Sequence, residues 1–543
     1  MAMPAASQQL FCGAHAQLPG ACTAVKLDHS ETKGRRLVAN QTIPAGSLVI
    51  HESPLSWQIE PLFAEQMCTY CVKRLRKSED HFTACPSCPL SYCSSDCQAA
   101  DVPHHQHTCG VQVHVQAGYP VPHQQRVAER LLITTPVPVI LRYRNLTEAD
   151  FAKIGAQGAP AHGSDSGALG SVLSLVAHNT DEIVRIGPEQ FEKSVLVRSN
   201  SFLTQSDWPA DMSLDERKQL LRDLTNAIIY RLLLNAYSLQ SDEFPEQATW
   251  GSPISVGTVV LCTGSMINHD CLPNVSAYFL GHTVEWRALK ELQTGEELVG
   301  SYGPRFGGSL SELRQLELEL KYCFTCACRA CTEPHYRIME CHLFSYKCEQ
   351  CQSGATFAVK PSGSIMCARC KHWQSYTSET VFEQTRAIVA QINETDSIET
   401  IEQHFKSFER RVAQMSERMQ CLKLLTAHKV IRTHTEPMRL ILRQILQCAR
   451  EVYGGHDPAH MHFVICNVIM TLHKAGSAAD SEISTLLDEL ISLWLTAAGY
   501  IGAKRRFESL EIFEMSTFEA AVEKFGGCVK SKSEEINAVE KEP

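Results

Sequence analysis

Residues 265–274 read SMINHDCLPN, residues 295–303 read GEELVGSYG, and residues 312–331 read ELRQLELELKYCFTCACRAC. Short β-like runs such as VGTVVLC and TVEWRAL lie around the first two stretches, between residues 254 and 302. The third stretch contains Cys326-x-Cys328-x2-Cys331, which offers three thiolates where a tetrahedral zinc ion needs four ligands. Cys271 is the candidate for the fourth ligand. These stretches therefore predict a β-structured segment followed by a zinc site.

The chain before these stretches predicts both strands and helices. Residues 34–57, GRRLVANQTIPAGSLVIHESPLSW, alternate apolar and polar residues around a Pro-Ala-Gly turn, which is typical of a β-hairpin. From Asp207 to Leu239, apolar residues recur at steps of three and four, which predicts an amphipathic helix with Asn235 near its end. The Gly/Ala/Ser-rich residues 155–170 predict an exposed loop.

A Cys/His-dense segment lies between residues 68 and 109. Its spacing supplies eight ligands and so predicts two tetrahedral zinc ions: Cys68-x2-Cys71, Cys85-x2-Cys88, Cys93-x3-Cys97 and His105-x3-Cys109. A segment of about forty residues buries little apolar surface, so the metal must supply folding energy. His104 and His107 compete with His105 by proximity. The three-residue spacing to Cys109 favours His105, with its neighbours solvated.

A closed four-cysteine site follows, in which Cys348-x2-Cys351 and Cys367-x2-Cys370 are joined by a fifteen-residue spacer, as in a zinc ribbon. The alternatives for such pairs are buried thiols and redox chemistry, but redox CxxC motifs occur singly and these pairs occur in series. None of the sites offers an open coordination position beside a carboxylate base, which disfavours metal-assisted hydrolysis. We expect the remaining cysteines to be buried or inert: Cys12, Cys22, Cys262, Cys323, Cys341, Cys421, Cys448, Cys466 and Cys528.

Composition limits the class of protein. The 543 residues exceed one ordinary domain, and the apolar (44%) and charged (20%) fractions are those of a globular chain. A net charge of -10 gives no overall basic field, so we expect no direct binding of nucleic acid. With no signal peptide or apolar run of about 18 residues, we expect a cytoplasmic and nuclear protein without membrane contact. Thiols stay reduced there, which favours zinc over disulfides.

The region after the ribbon reads as helical. Apolar helices are predicted near residues 381–393, 399–415, 419–432, 438–453, 461–475 and 481–499. Their number and lengths fit an array of helical hairpins of tetratricopeptide type. The last residues, KSKSEEINAVEKEP, predict a charged, frayed tail.

The order of these segments resembles that of the SET and MYND domain-containing protein-lysine methyltransferases, over about residues 30–335. Residues 265–274 and 295–303 resemble the SET core, residues 312–331 its post-SET tail, and the Cys/His segment a MYND finger inserted after the first hairpin. The four-cysteine site and residues 449–476, AREVYGGHDPAHMHFVICNVIMTLHKAG, look most like subfamily four, although its usual N-terminal helical repeats are absent here.

The resemblance implies an α+β, multi-domain fold in which a MYND zinc finger splits the SET β-fold. The implied domains are an N-terminal extension (1–30), the SET N-terminal hairpin (31–67), the MYND zinc finger (68–109), a helical SET insert (110–250), the SET core (251–304), the post-SET segment (305–335), a four-cysteine zinc ribbon (336–375), a C-terminal all-α tetratricopeptide-like domain (376–527) and a disordered tail (528–543).

The resemblance also implies which residues bind metals and cofactor. In the finger, Cys68, Cys71, Cys93 and Cys97 would hold one Zn²⁺, and Cys85, Cys88, His105 and Cys109 a second. The sites at Cys271, Cys326, Cys328 and Cys331 and in the ribbon would each hold one more. S-adenosyl-L-methionine would contact Gly34, Arg35, Asn235, Asn268, His269, Tyr302 and Phe324.

Each of the cofactor residues has an expected role. Asn268 and His269 would bind polar groups of the cofactor, chiefly the adenine, Asn235 would hold its amino-acid end, and Phe324 would cover an adenine face. Tyr302, the catalytic candidate, would orient the methyl group or the amine. Taken singly, Asn235 also suits a helix C-cap, Phe324 a core position and Tyr302 a strand.

The function implied is methyl transfer from S-adenosylmethionine to lysines of histone or other proteins, by a monomer. The alternative is a scaffold of weak or no activity, whose finger binds proline-rich partners in transcriptional regulation. Three substitutions depart from the family pattern. Val102 replaces a tryptophan of the finger, Arg36 replaces a glycine of the hairpin, and Asp270 replaces a serine. A buried Asp270 would need a partner, for which Arg36 is a candidate.

Overall fold

The computed structural model describes residue 15 and residues 18–524, with gaps. The gaps are residues 76–81, 89, 111–122, 148–149, 151–166, 178–185, 245–252, 345–346, 353–355, 360–363, 368, 455–456, 475–480, 509, 511–512 and 514, together with residues 378–434 apart from 380, 383, 384, 387, 390 and 403. Apart from these single residues, the helices predicted near 381–393, 399–415 and 419–432 therefore lie outside the described residues, as does the tail.

The described strands are short and belong to several small sheets. They are β1 (Val25–Ser30), β2 (Gly34–Ala39), β3 (Leu48–Glu52), β4 (Ser56–Ile59), β5 (Thr83–Ala84), β6 (Ser91–Tyr92), β7 (Ala236–Ser241), β8 (Ile254–Val260), β9 (Asn268–His269), β10 (Val275–Leu280), β11 (Thr283–Ala288), β12 (Val299–Gly300), β13 (Thr356–Val359), β14 (Ser364–Cys367) and β15 (Trp373–Thr377). The strand orders are β1-β2, β10-β11-β3, β4-β8-β7, β12-β9, β5-β6 and β13-β14-β15. Only β9 and β12, among these described pairs, run parallel.

The described helices fall into three groups along the chain. In the finger they are α1 (Ser95–Ala100) and α2 (Val102–Thr108). The insert contains α3 (His123–Thr134), α4 (Val137–Leu141), α5 (Gly167–Leu173), α6 (Pro188–Phe191), α7 (Val195–Arg198), α8 (Asn200–Leu203) and α9 (Leu214–Asn235). The rest are α10 (Ser311–Tyr322), α11 (Arg329–Thr332), α12 (Pro334–Phe344), α13 (Thr435–Tyr453), α14 (Pro458–Lys474), α15 (Ser481–Glu508) and α16 (Met515–Lys524).

The prediction of one hairpin over residues 34–57 is wrong. β2 pairs with β1, which lies inside the predicted N-terminal extension, and Ser30 faces Gly34 at the end of that hairpin. β3 instead pairs with β11, and the Gly46 N–H donates to the Ala288 carbonyl at 2.7 Å. An alternating pattern shows that a strand has two different faces, but it does not identify the partner strand.

The helix predicted from Asp207 to Leu239 is shorter at both ends. Ser213 caps α9 through a reciprocal capping box with Glu216, so the helix begins at Leu214. It ends at Asn235, because Ala236 is extended and residues 236–241 pair with β8 as a strand. Of the predicted loop 155–170, the last four residues begin α5, and the others lie outside the described residues.

The three largest apolar cores of the described residues organise this part of the chain. Side chains of the small sheets form the first, which includes Leu37, Val49, Val259, Ile267 and Trp286. The second lies among the helices of the insert. The third joins α13 to α16, and the predicted helices 438–453, 461–475 and 481–499 correspond to α13, α14 and α15.

The C-terminal helices are attached to the sheets. α15 packs against β10 and β11, and it bends at Gly499, whose φ is 66°. A side chain at Gly499 would meet the Arg287 guanidinium of β11, so the close approach requires glycine. Within the described residues, no helix has the length and apolar character needed to cross a membrane.

Candidate active site and metal centres

The structure brings the sixteen predicted metal ligands into four groups. The groups are Cys68, Cys71, Cys93 and Cys97; Cys85, Cys88, His105 and Cys109; Cys271, Cys326, Cys328 and Cys331; and Cys348, Cys351, Cys367 and Cys370. Within each group the ligand atoms lie within 4.8 Å of one another. Four tetrahedral sites could therefore each hold a metal ion.

The sulfur–sulfur distances fit zinc. The Cys71 and Cys93 sulfurs are 3.5 Å apart, and those of Cys271 and Cys331 are 3.7 Å apart. A disulfide requires about 2.05 Å, so these pairs are not bonded to each other. A tetrahedral ion with Zn–S bonds of about 2.3 Å would place its ligand sulfurs about 3.8 Å apart. The four groups are therefore arranged as tetrathiolate or Cys₃His zinc sites are.

Among the three histidines of the finger, only His105 joins a cysteine group. Its Nε2 lies 3.7 Å from the Cys88 Sγ, and its Nδ1 lies 2.9 Å from the Tyr92 hydroxyl. His104 instead contacts Asp101 and Arg130, and burial lowers its pKa to about 4. His104 is thus not the solvated neighbour that the spacing predicted. His107 contacts Ser201 of α8.

A buried ion pair fixes the finger to the rest of the chain. Arg130 of α3 pairs with Asp101 at 2.5 Å, and its guanidinium lies 4.1 Å from the centre of the Trp57 ring. Asp101 also accepts a hydrogen bond from Tyr92, which contacts the ligand His105. The second finger site therefore connects through a polar chain to the helical insert.

The Cys271 group is assembled from two distant parts of the chain. The Phe306 N–H donates to the Cys271 carbonyl at 2.9 Å, which holds the loop after β12 against the metal ligands. Arg314 of α10 is fully buried, lies 3.3 Å from the Cys271 Sγ and pairs with Glu340 at 2.5 Å. Because four thiolates around Zn²⁺ leave a net negative charge, this guanidinium suits the site.

Tyr302 lies next to this group. The parallel pairing of β9 with β12 sets His269 opposite Gly300, two residues before Tyr302. The Tyr302 N–H donates to the His269 Nδ1 at 3.0 Å, and the Tyr302 hydroxyl donates to the Ile267 carbonyl at 3.0 Å. The other ring nitrogen of His269, Nε2, is 3.4 Å from the Cys271 Sγ. His269 therefore bridges the tyrosine and the metal ligands, and its ring has no nitrogen left for another partner.

The β1–β2 hairpin meets the same strand from the other side. The Asn268 amide donates to the Arg35 carbonyl at 3.1 Å and to Glu297 at 2.9 Å, and Lys33 pairs with Glu297 at 2.8 Å. Gly34 occupies the left-handed region (φ 70°) at the turn of the hairpin. The structure thus brings together Gly34, Arg35, Asn268, His269 and Tyr302, five of the residues that the family resemblance implied as cofactor contacts.

The Arg35 side chain has an unused donor. Its Nη2 donates to the Ser174 carbonyl at 2.9 Å, whereas its Nη1 is buried and has no partner among the described residues. Burial also lowers the pKa of Arg35. An unpaired guanidinium nitrogen in this position fits an anionic group of a ligand.

Asn235 and Phe324 contact this part of the chain through different neighbours. The Asn235 amide donates to the Val176 carbonyl at 2.9 Å and to the Arg231 carbonyl at 2.7 Å, and its own carbonyl accepts from Ser265. The Phe324 ring centre is 6.0 Å from that of His269 and 6.3 Å from that of Tyr302. Phe324 is half-buried, so one part of its ring remains open to a ligand.

Two further tyrosines belong to this site and were not predicted. Tyr322 donates to the Tyr302 carbonyl at 2.9 Å, and its ring centre is 4.9 Å from that of Tyr302. Tyr237 of β7 donates to the Gly264 carbonyl at 2.8 Å. The position of Tyr322, two residues before Phe324, was the available signal for the first. No local pattern singles out Tyr237, because its place depends on the pairing of β7 with β8.

The expected pairing of Arg36 with Asp270 is wrong. Arg36 faces Asp28 across the hairpin and pairs with it at 2.6 Å. Asp270 instead accepts a hydrogen bond from the Leu272 N–H at 2.8 Å, and burial raises its pKa. Cross-strand register, which the sequence does not state, decides the partner of Arg36. Arg36 is thereby held on the hairpin by its neighbour Asp28.

Comparisons with known proteins agree with this arrangement. The SET domain family model matches residues 34–303. Histone-lysine N-methyltransferase Smyd1 of Mus musculus is 26% identical over 327 residues, which are 58% of this chain and 56% of that protein. Protein-lysine N-methyltransferase SMYD4 of Mus musculus is 24% identical over 380 residues, 58% of this chain and 47% of that protein. Histone-lysine N-methyltransferase SMYD3 of Homo sapiens is 24% identical over 302 residues, 55% of this chain and 59% of that protein.

These matches are similar in extent for different subfamilies. The chain spans about half the length of these three curated relatives, between 47% and 59%. The matched SET segment contains β2, Asn268, His269 and Tyr302, which the structure brings together.

Proposed function

Because the chain belongs to the SET and MYND domain-containing proteins, we propose that it is an S-adenosylmethionine-dependent protein-lysine N-methyltransferase. One observation supports this more than any other. Residues that are more than 200 positions apart, Arg35 and Asn268, are joined by a hydrogen bond beside Tyr302. Such a meeting of hairpin, strand and tyrosine forms a compact polar site for a small ligand.

The residues present fit the cofactor. The unpaired Nη1 of Arg35 suits the cofactor's carboxylate, and Asn235, whose main-chain carbonyl accepts from Ser265, would hold the amino-acid end. The half-open ring of Phe324 would cover one face of the adenine. Because both ring nitrogens of His269 are engaged, we propose that its main chain, with Asn268, contacts the adenine. When bound, S-adenosylmethionine supplies an electrophilic methyl group on sulfur.

The aromatic side chains would prepare the substrate amine. A lysine ammonium with a pKa of about 10.4 must lose its proton before it can accept a methyl group, at a cost of roughly 4 kcal/mol at neutral pH. Tyr237, Tyr302 and Tyr322, which lie around the turn that contains Ile267, would surround the amine with aromatic rings and so favour its neutral form by desolvation. Holding the amine in line with the methyl group removes a further entropic barrier.

Tyr302 would orient the reacting groups and would not remove the proton. Burial raises the pKa of Tyr302 well above its usual value, so the phenol stays protonated at neutral pH. Its proton is donated to the Ile267 carbonyl, which leaves the oxygen lone pairs as acceptors. That oxygen can therefore accept a weak bond from the methyl C–H groups or from the amine N–H, while the ammonium proton leaves to water.

We propose that each of the four ligand groups binds one Zn²⁺, two in the finger, one after the SET core and one in the ribbon. The sulfur distances and the tetrahedral donor sets support this assignment. Metal analysis of the purified protein should then find four equivalents of zinc.

Other features of the chain support wider proposals. The C-terminal helices α13 to α16, in which each packs against the next, are consistent with a tetratricopeptide-like domain and a wall of the substrate cleft. We propose histone or other proteins as substrates, a monomeric state, and the cytoplasm and nucleus as location. The finger would bind proline-rich peptides, with Val102, which is 47% exposed, in the place of the family tryptophan.

Cofactor binding is the first test. Titration calorimetry of the zinc-loaded full chain with S-adenosylmethionine should show one site, and the Arg35→Met variant should bind about tenfold or more weakly because a charged hydrogen bond is lost. Arg36→Met is the matched control, because Arg36 pairs with Asp28 on the same hairpin. Absence of binding by the wild type would favour the scaffold.

Methyl transfer is the second test. With radiolabelled cofactor and a cell extract, the full chain should label proteins on lysine, and Tyr302→Phe should reduce the rate by on the order of 10- to 100-fold through loss of one positioned oxygen. Tyr376→Phe, which removes a hydroxyl in the ribbon, should label as well as wild type. Equal rates for wild type and Tyr302→Phe would remove this residue from the proposed role.

A further inference from the structure

Glu52 is a buried carboxylate without a cation. It lies at the end of β3 with 4% of its surface exposed, and it forms no ion pair within the described part of the chain. Its cross-strand neighbour on β11 is the apolar Val284. Residues 19 and 20 lie across it, and a side chain at Gly20 would come within 2.7 Å of the Glu52 Cβ. An ionised group in such a place costs stability unless hydrogen bonds compensate, so its presence needs a reason.

The carboxylate holds one turn of the chain. The Thr263 N–H donates to the Glu52 Oε2 at 2.9 Å, and the Gly264 N–H donates to the Oε1 at 2.6 Å. A side chain at Gly264 would come within 2.7 Å of the Oε1, so only glycine permits this approach. Glu52 thus binds two successive amide groups at the start of the 3-10 turn Gly264–Met266.

The same turn presents the carbonyls and side chains that the proposed active site uses. Tyr237 donates to the Gly264 carbonyl, Tyr302 donates to the Ile267 carbonyl, and Ser265 donates to the Asn235 carbonyl. Asn268, which contacts the hairpin, follows directly. Glu52 therefore fixes the N–H groups at the start of the turn. The carbonyls of Gly264 and Ile267 in turn accept hydrogen bonds from the two tyrosines.

We propose that Glu52 is a positioning residue for the cofactor-binding turn, and that the turn is held for binding only while Glu52 is ionised. This proposal rests on the proposed function. A carboxylate accepts both N–H groups with full strength, whereas a protonated carboxyl group has one oxygen that is a poor acceptor and carries a hydrogen. Protonation would therefore release one amide and loosen the turn.

The charge state of Glu52 changes in the physiological range. Burial raises its pKa to about 7, against the opposing effect of the N–H bonds of Thr263 and Gly264. The titratable groups that face it are His51 on its own strand, Cys262 before the turn and Tyr237 on β7. Burial raises the pKa of Cys262 to about 12, and it raises the pKa of Tyr237 well above its usual value. Neither of these two groups therefore changes charge near neutral pH.

The affinity for S-adenosylmethionine should therefore depend on pH through Glu52. For the wild type, calorimetry at pH 6 and pH 8 should give a Kd about tenfold lower at pH 8, the effect expected for one charge-assisted bond. Glu52→Gln should bind weakly at both values, with no dependence on pH, and the loss should appear in KM for the cofactor more than in kcat. His51→Gln is the matched control, because His51 is exposed and adjacent, and it should keep the wild-type dependence.

A second measurement does not require cofactor binding. At one fixed pD, amide hydrogen exchange in peptides covering residues 261–268 should be about tenfold faster in Glu52→Gln than in wild type, since one of the two amides of Thr263 and Gly264 loses its acceptor. If the wild type binds no cofactor at any pH, the proposed function fails, and exchange still decides the role of Glu52. Unchanged exchange in these peptides, or a Glu52→Gln protein that keeps the pH dependence, would overturn the proposal.

Discussion

Two four-cysteine groups in this protein share their ligands but differ in their surroundings. The Cys271 group lies in a core with Phe306, Leu318 and Val452, and contacts His269 and the buried Arg314. The Cys348 group is held by its own ribbon, where Gln374 donates to the Cys348 Sγ at 3.5 Å and the N–H groups of Cys351 and Cys370 donate to nearby sulfurs. Identical metal chemistry can therefore support an active site in one place and a local fold in another.

Removing one ligand from each group should give the largest contrast. We expect Cys271→Ser to lose one equivalent of zinc and to lower methyl transfer on the order of 100-fold or more, because the support of His269 and Tyr302 goes with the metal. Cys348→Ser should also lose one equivalent, with transfer close to wild type. Elemental analysis and the radiolabel assay measure both. Equal loss of transfer in the two variants would show that the two groups do not differ in this way.

The residues that donate to the ligand sulfurs should affect stability and zinc affinity to different degrees in the two groups. Arg314→Met leaves Glu340 buried without its cation, so we expect the free energy of unfolding to fall by about 3–5 kcal/mol. The affinity of the Cys271 site for zinc should fall about 10- to 100-fold, as measured by competition with a chelator. The double variant Arg314→Met with Glu340→Met should recover much of the stability but not the zinc affinity.

The ribbon provides the matched experiment. Gln374→Leu removes a neutral donor from the Cys348 sulfur, in a polar and partly exposed setting. Its effect on zinc affinity should be smaller than that of Arg314→Met, because a neutral hydrogen bond is weaker than a charged one. An equal or larger effect of Gln374→Leu would contradict the contrast between the two surroundings.

The comparison also shows what the sequence can predict. In the ribbon, ligand spacing alone selected the group that the structure assembles, because a short CxxC segment can present two thiolates to one ion. In the finger, spacing selected the eight ligands, and the family resemblance divided them between two ions. For the third group the spacing predicted three ligands and the need for a fourth, and Cys271 was a candidate that the structure places there. The meeting of Arg35, Asn268 and Tyr302 came from family resemblance.

What the sequence did not predict depends on long-range pairing. The β1–β2 hairpin, the Asp28 partner of Arg36 and the place of Tyr237 all follow from strand register, which alternation does not specify. The engagement of both His269 ring nitrogens depends on Tyr302 and Cys271 arriving from different segments. The ion pair of Arg305 with Asp457, from the C-terminal helices, could not be inferred from either segment alone.

The ion pair of Arg305 with Asp457 should give the smallest of the effects that distinguish the Cys271 group from the Cys348 group. Asp457 is fully buried between α13 and α14, and it accepts from Arg305 at 3.0 Å and from His460 at 2.7 Å. Arg305 precedes Phe306, whose N–H binds the Cys271 carbonyl, so the C-terminal helices help to hold the loop over the metal ligands.

We expect Asp457→Asn to lower the free energy of unfolding by about 2 kcal/mol at pH 7. Burial would raise the pKa of Asp457, but His460 and Arg305 outweigh it and lower the pKa to about 2. Since the pKa of Asp457 in the folded protein lies below its usual value, the stabilisation by the ionised carboxylate is complete at pH 7. It is lost only as the pH falls from about 4 towards 2. Urea denaturation at pH 7 measures the loss of stability. Asp488→Asn is the control, because Asp488 pairs with Lys524 on the surface and its loss should cost under about 1 kcal/mol.

The loop should respond as well: amide exchange at residues 303–308 should rise in Asp457→Asn and not in the control. If both variants lose the same stability, Asp457 contributes no more than a surface pair, and the C-terminal helices do not support the Cys271 site through this contact.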